Sequence, residues 1–71
     1  MQYDYEKLLT KIKERYKSQK KLAEEMGISE RSLSLKLNNK VGFKQGEINK
    51  MCVLLKINKI QISYYFFNLK D

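Results

Sequence analysis

The chain has 71 residues, a mass of 8.5 kDa, 42% hydrophobic residues, three glycines and no proline. A chain of this length buries only about 60% of its extended surface, which allows one small core and excludes a large substrate cavity. Its 15 lysines and arginines against 8 acids give a net charge of +7, and such a field attracts polyanions, although a lysine-rich surface can also serve solubility alone.

The first predicted helix covers residues 4–16. Its apolar residues recur at helical spacing and form one stripe, made of Tyr5, Leu8, Leu9, Ile12 and Tyr16. Lysines on its other face leave open a membrane-surface helix, but the acids Glu6 and Glu14 and the modest apolar face argue against that alternative.

Two short helices follow, separated by a three-residue turn. Ser18 is a good N-cap for a helix over Gln19–Met26, and Ser29 is a good N-cap for a helix over Glu30–Leu37. Gly27 comes directly after the last inward residue of the first of these helices. At that position a helix commonly ends in the left-handed conformation, which glycine adopts without a steric clash.

The remaining chain predicts two more helices. Residues 38–42 have the composition of a turn, a fourth helix covers about Gln45–Leu55, and Asn58 can cap a short final helix. Four consecutive aromatics, Tyr64 to Phe67, cannot all face inward from one helix, so some of them are candidates for a homodimer interface. The expected fold is all-α, a compact bundle of about five short helices in a single domain over residues 1–71.

Two helices joined by a glycine turn of this length have the organisation of a helix-turn-helix unit. The sequence resembles the Cro/lambda-repressor-like helix-turn-helix family of phage and bacterial regulators through Gln19-x-x-Leu22-Ala23-x-x-Met26-Gly27-Ile28-Ser29, followed by Leu33 and Leu37-Asn38. The resemblance implies a small phage-encoded, repressor-like transcriptional regulator that places its third helix in the major groove of double-stranded DNA. One position departs from the family, because Lys36 replaces the usual aliphatic residue. We expect its stem to pack while its ammonium reaches water or phosphate.

Helical geometry selects the DNA-facing side of the third helix. Leu33 and Leu37 point one way, and the opposite side carries Arg31, Ser34, Leu35 and Asn38. Arg31 can bind guanine and Leu35 can contact a thymine methyl, although Leu35 can equally be an ordinary surface leucine. The resemblance adds Glu30 as a base contact, or as a group that stabilises the helix start, and Gln19 as a phosphate contact. The candidates for base readout are therefore Glu30, Arg31, Ser34 and Leu35, and those for phosphate are Lys17, Gln19, Lys20, Lys21, Asn38, Asn39 and Lys40.

Other functional classes receive little support. The chain has no histidine and one cysteine, Cys52, on the inward side of the fourth helix, so we expect no enzyme, no metal, no cofactor and no small-molecule ligand. No apolar run approaches a membrane span, and a cytoplasmic location is expected. The favoured function is binding to a palindromic operator as a dimer, with half-sites roughly 34 Å apart. The alternative is a protein-interaction module, such as an antirepressor or an inhibitor of a host factor, built on the same scaffold.

Overall fold

The structure, a computed structural model, describes residues 2–70. Its elements in chain order are α1 (Glu6–Tyr16), α2 (Gln19–Met26), α3 (Glu30–Leu37), α4 (Gln45–Leu55), a 3-10 helix (Lys59–Gln61) and α5 (Ile62–Phe66). The all-α prediction is confirmed, and α2, α3 and α4 begin and end at the predicted residues. The predicted final helix is divided into the 3-10 helix and α5. No helix within residues 2–70 is long and apolar enough to cross a membrane.

Side-chain caps and left-handed residues define the ends of the short helices. The Ser18 hydroxyl accepts the Lys21 N–H at 3.3 Å, and the Ser29 hydroxyl accepts the Ser32 N–H at 3.0 Å. At the end of α2, Gly27 has φ +75°. The Ile28 N–H donates to Ala23 O at 3.1 Å, and the Gly27 N–H donates to Glu24 O at 3.2 Å. These paired bonds form a Schellman motif, so the predicted role of Gly27 in the backbone is confirmed.

One hydrophobic core joins all five α-helices. A chain of aromatic edges crosses it, since the Phe43 ring lies 5.4 Å from Tyr5 and 5.5 Å from Phe66, in both cases nearly perpendicular. Perpendicular contacts of this kind add to the stability gained from burial. The buried apolar residues are Tyr5, Leu8, Ile12, Leu22, Ala23, Met26, Leu33, Leu37, Met51, Leu55, Ile57 and Phe66.

The N-terminal segment is held between the C-terminal segment and the end of α3. Tyr3 forms an isolated antiparallel bridge with Leu69. On its other side, the Tyr3 N–H donates to Asn39 Oδ1 and Asn39 Nδ2 donates to Tyr3 O, both at 2.9 Å. Asn39 itself has φ +62°, a conformation that asparagine tolerates better than most residues. The Asn39 side chain therefore joins the loop after α3 to Tyr3, which is itself bridged to the C-terminal segment.

The expectation that the ammonium of Lys36 reaches water or phosphate is wrong. Lys36 is only 7% exposed, and its Nζ lies 3.5 Å from Oε1 of Glu47. The same carboxylate oxygen accepts the Lys44 N–H at 2.8 Å and thereby caps the start of α4. The ion pair forms because Glu47, in the first turn of α4, provides a negative charge beside the last turn of α3. Lys36 thus joins these two helices across the core edge.

Candidate nucleic-acid interface

The turn between α2 and α3 is held from two sides. Ile28 is half-buried and packs against the core, which anchors the middle of the turn. From outside, Nζ of Lys50 on α4 donates to Met26 O at 3.4 Å, so a positive charge meets the carbonyl end of α2. The orientation of α3 relative to α2 is therefore set by the left-handed Gly27, by Ile28 and by α4.

The two sides of α3 differ as helical spacing predicts. Leu33 and Leu37 are buried in the core, whereas Arg31 is exposed. Leu35 is half-buried, so it is less accessible than an isolated surface leucine, and Ser34 is half-buried as well. Arg31 therefore extends freely from α3, while Leu35 and Ser34 present only part of their surface.

Glu30 begins α3 and is also exposed. As an acid in the first turn it lies at the positive end of the α3 dipole, where a carboxylate stabilises a helix. The N-cap is provided by Ser29 and not by Glu30, so the carboxylate is not needed for capping. Both interpretations of Glu30, a base contact or a helix-stabilising charge, therefore fit its position.

The predicted phosphate contacts are four lysines and three amide side chains, and the two groups differ in exposure. The lysines at positions 17, 20, 21 and 40 are exposed, and Gln19 is half-buried at the start of α2. Asn38 is exposed, but its Nδ2 donates to Ser34 O at 2.8 Å and so closes the end of α3. Asn39 is half-buried, and both polar groups of its side chain contact the Tyr3 backbone. The structural role of Asn39 was not foreseen from the sequence, because its partner lies 36 residues away.

The positive charge is concentrated in the second half of the chain. Residues 1–30 carry seven bases and six acids, which sum to +1, whereas residues 31–71 carry eight bases and two acids, which sum to +6. Between residues 31 and 70 the one acid is Glu47, and it is paired with Lys36. This asymmetry was missed from the sequence, although counting charges by halves would have found it. It places most of the uncompensated charge on α3 and the elements that follow it.

Cys52 is half-buried, and burial raises the pKa of its thiol above the ordinary value of 9.0. A raised pKa leaves less of the reactive thiolate at neutral pH, which makes this residue a poor nucleophile. Within residues 2–70 no group of three or more His, Cys, Asp or Glu side chains could hold a metal ion. Among the described residues, the exposed cationic groups of this region include the lysines at positions 17, 20, 21 and 40 and Arg31 on α3.

Comparison with known proteins gives a similar solved structure and a matching family model. The solution structure of the modulator of repression (MOR) of the temperate bacteriophage TP901-1 from Lactococcus lactis is similar to this fold, with a TM-score of 0.83 and 50% sequence identity. The similarity covers 96% of this chain and 92% of that chain. No protein of curated function matches the sequence. A family model described as "Protein of unknown function (DUF739)" matches residues 1–69. The chain therefore belongs to this family, whose description assigns no function.

Proposed function

We propose that this protein is a phage-type regulator of repression that binds duplex DNA through α3. In this proposal residues 1–71 form one helix-turn-helix domain of the Cro/lambda-repressor type. Arg31 reads a base edge in the major groove, while Lys17, Lys20, Lys21 and Lys40 contact the phosphate backbone. The protein is not an enzyme, and its activity is binding.

The observation that carries the proposal is the exposure of Arg31 on the outer side of α3. Arg31 is exposed on α3, and the opposite side of this helix is anchored in the core by Leu33 and Leu37, so the guanidinium can enter a DNA groove while the fold stays intact. Exposed lysines lie at the start of α2, at positions 20 and 21, and just after the end of α3, at position 40. The excess of +6 in residues 31–71 adds a field that attracts DNA regardless of sequence.

Two copies on a palindromic operator would place two α3 helices in successive major grooves, roughly 34 Å apart. The C-terminal aromatics remain the candidate contact between copies. Tyr64 and Phe67 are 53% and 48% exposed. However, both already have partners within the chain, since Tyr64 stacks under the Lys7 ammonium and Phe67 packs edge-on against Tyr3. DNA-dependent dimerisation is therefore the form of the proposal that these contacts favour.

Selection of bound duplexes from a random library tests the proposal, and a symmetric consensus is the expected result. On the selected site, Arg31→Ala should weaken binding by about 1–3 kcal/mol and relax one base position. Lys20→Ala should weaken binding to all sequences and reduce the salt slope by about one unit. Lys59→Ala removes the same charge from the 3-10 helix and serves as the matched control, which should leave the salt slope near that of the wild type.

Two results would contradict DNA reading by α3. The first is an absence of binding to any duplex at low salt. The second is an Arg31→Ala variant that loses affinity equally on every sequence, because a base-reading residue must discriminate.

A second candidate function is control of repression through a protein partner. The observation that favours it is the 50% identity to a protein named a modulator of repression, since modulation can act on a repressor protein as well as on an operator. Half-buried Leu35 and exposed Glu30, both on α3, are side chains that a protein can contact. Loss of partner binding on Leu35→Ser, in a chain that binds no duplex, would favour this function over the first.

A further inference from the structure

An apolar groove lies where the end of α4 meets the 3-10 helix and the start of α5. It has a volume of about 600 Å³, and its apolar lining comes from Cys52, Val53, Ile57 and Ile62. Ile57 is buried and Val53 is 77% exposed, so the groove extends from the core edge to open solvent. Ile60, on the 3-10 helix beside the lining residue Lys59, is 92% exposed.

Val53 and Ile60 have the highest exposed fractions among the large apolar side chains of residues 2–70. A single exposed apolar residue is ordinary, but here one of the two most exposed, Val53, lines this concave apolar surface, and the other, Ile60, follows the lining residue Lys59 in the chain. Surfaces of this kind, in which a pocket receives an aliphatic or aromatic anchor, are typical of protein–protein contact sites. A sugar-phosphate backbone has no apolar group to fill such a groove, so DNA is a poor occupant.

The charge around the groove determines which protein surface fits it. Lys59 lines the groove and Lys56 lies one residue before Ile57, and both lysines are exposed. Residues 48–70 contain no acid, so neither charge has a neighbouring carboxylate in this part of the chain. A second copy of the protein would bring two such lysine pairs together across a two-fold axis, where like charges repel. An acidic partner replaces that repulsion with attraction.

We propose that this groove docks an acidic segment of a partner protein. Aliphatic side chains of that segment enter beside Val53 and Ile62, and its carboxylates meet Lys56 and Lys59. The groove is built from α4, the 3-10 helix and α5 and shares no residue with α3. The protein therefore has a second binding surface that can be occupied independently of the surface proposed for DNA.

Selection from a displayed library of random 16-residue peptides tests the proposal with the full chain as bait. The expected peptides combine several Asp or Glu residues with spaced aliphatic residues. Binding of the best synthetic peptide is then measured by fluorescence anisotropy. The double variant V53S/I60S should lower its affinity at least tenfold, and K56E/K59E should do the same at low salt with a smaller effect at high salt.

Matched controls separate the groove from the rest of the protein. Val41 is 46% exposed and does not line the groove, so Val41→Ser should leave the peptide affinity unchanged. Because Val53 and Ile60 are exposed, the V53S/I60S variant should keep the wild-type melting temperature within a few degrees. The charge-reversal variant provides a second test that removes no apolar contact.

Four results would overturn the proposal. These are selection that enriches no peptide, enriched peptides without an excess of acids, peptide binding that both double variants leave unchanged, and a concentration-dependent dimer that V53S/I60S abolishes in analytical ultracentrifugation. The last result would assign the groove to a second copy. Duplex binding by V53S/I60S is measured in parallel. If this variant keeps duplex binding, the groove proposal and the DNA proposal can be judged separately.

Discussion

Replacing Lys36 by methionine is expected to leave the free energy of unfolding within about 1 kcal/mol of wild type, or to increase it. The lysine is 7% exposed, and its ammonium has one carboxylate partner, Glu47, at 3.5 Å. At this separation and an effective dielectric constant of about 20, the attraction is roughly 5 kcal/mol. Withdrawing each ion from water costs several kcal/mol, so the gain and the cost nearly cancel. Methionine has an unbranched side chain of similar length and no charge, so it can pack in the space that the lysine stem occupies.

Replacing the partner has a different expected effect. In Glu47→Gln, the amide oxygen can still accept the Lys44 N–H that Glu47 accepts at 2.8 Å, so the cap of α4 is kept. The Lys36 ammonium, however, loses its countercharge while remaining largely out of water. We expect a loss of about 3 kcal/mol, because an unpaired buried charge is costly. The double variant K36M/E47Q should recover most of that loss.

Urea unfolding followed by circular dichroism measures all three variants, with the free energies extrapolated to water. Glu25→Gln, at an exposed position of α2, removes the same charge and should change stability by less than about 0.5 kcal/mol. A loss above about 2 kcal/mol in Lys36→Met, equal to the loss in Glu47→Gln, would refute the reasoning. It would mean that the ion pair stabilises the fold by far more than its desolvation costs.

Three further predictions concern the turn, the terminal contact and alkaline pH. Gly27→Ala should lower the free energy of unfolding in urea by about 1–2 kcal/mol, because alanine is strained at φ +75°; an added Cβ meets nothing within 4 Å, so no steric clash contributes. Gly27→Asn should lower it by less. Asn39→Ala should lose about 2–3 kcal/mol, and Asn39→Gly, which removes the same two bonds to Tyr3 without strain at φ +62°, should lose about 1–2 kcal/mol. Burial raises the pKa of Cys52 above 9.0, and burial together with Tyr3 raises that of Tyr5 above 10.0, so the folded state holds both protons more tightly than the unfolded state. This contribution to stability is complete below about pH 9 and declines as pH rises through the two raised pKa values. The melting temperature of C52A/Y5F should therefore fall less steeply with increasing pH than that of the wild type.

The helices were predictable because local signals for their ends agreed with the apolar spacing. Ser18 and Ser29 accept the amides that N-caps are expected to accept, and Gly27 adopts the left-handed conformation that ends α2. With both ends of α2 and the start of α3 specified within twelve residues, little freedom remained for their bounds. The burial of Leu33 opposite exposed Arg31 follows from helical geometry alone.

The features that escaped prediction depend on partners far apart in the chain. The contact of Asn39 with Tyr3 joins residues 36 positions apart, and no local pattern of either residue announces it. The burial of Lys36 requires the first turn of α4 to lie beside α3, whereas a lysine in sequence is ordinarily expected in water. The apolar groove likewise required the placement of α4 against the 3-10 helix, because Val53 and Ile62 are nine residues apart.

Two helix ends carry lysines where glycine would be less strained. Lys17 after α1 has φ +65° and Lys56 after α4 has φ +57°, and an L-residue in this conformation costs roughly 1 kcal/mol. Each of these lysines belongs to a surface for which binding is proposed, one at the start of α2 and the other beside the apolar groove. Glycine at both positions should raise the melting temperature, but it would remove one positive charge from each of the two surfaces proposed for binding. Lysine at these two helix ends therefore keeps a positive charge there and lowers the thermal stability of the fold.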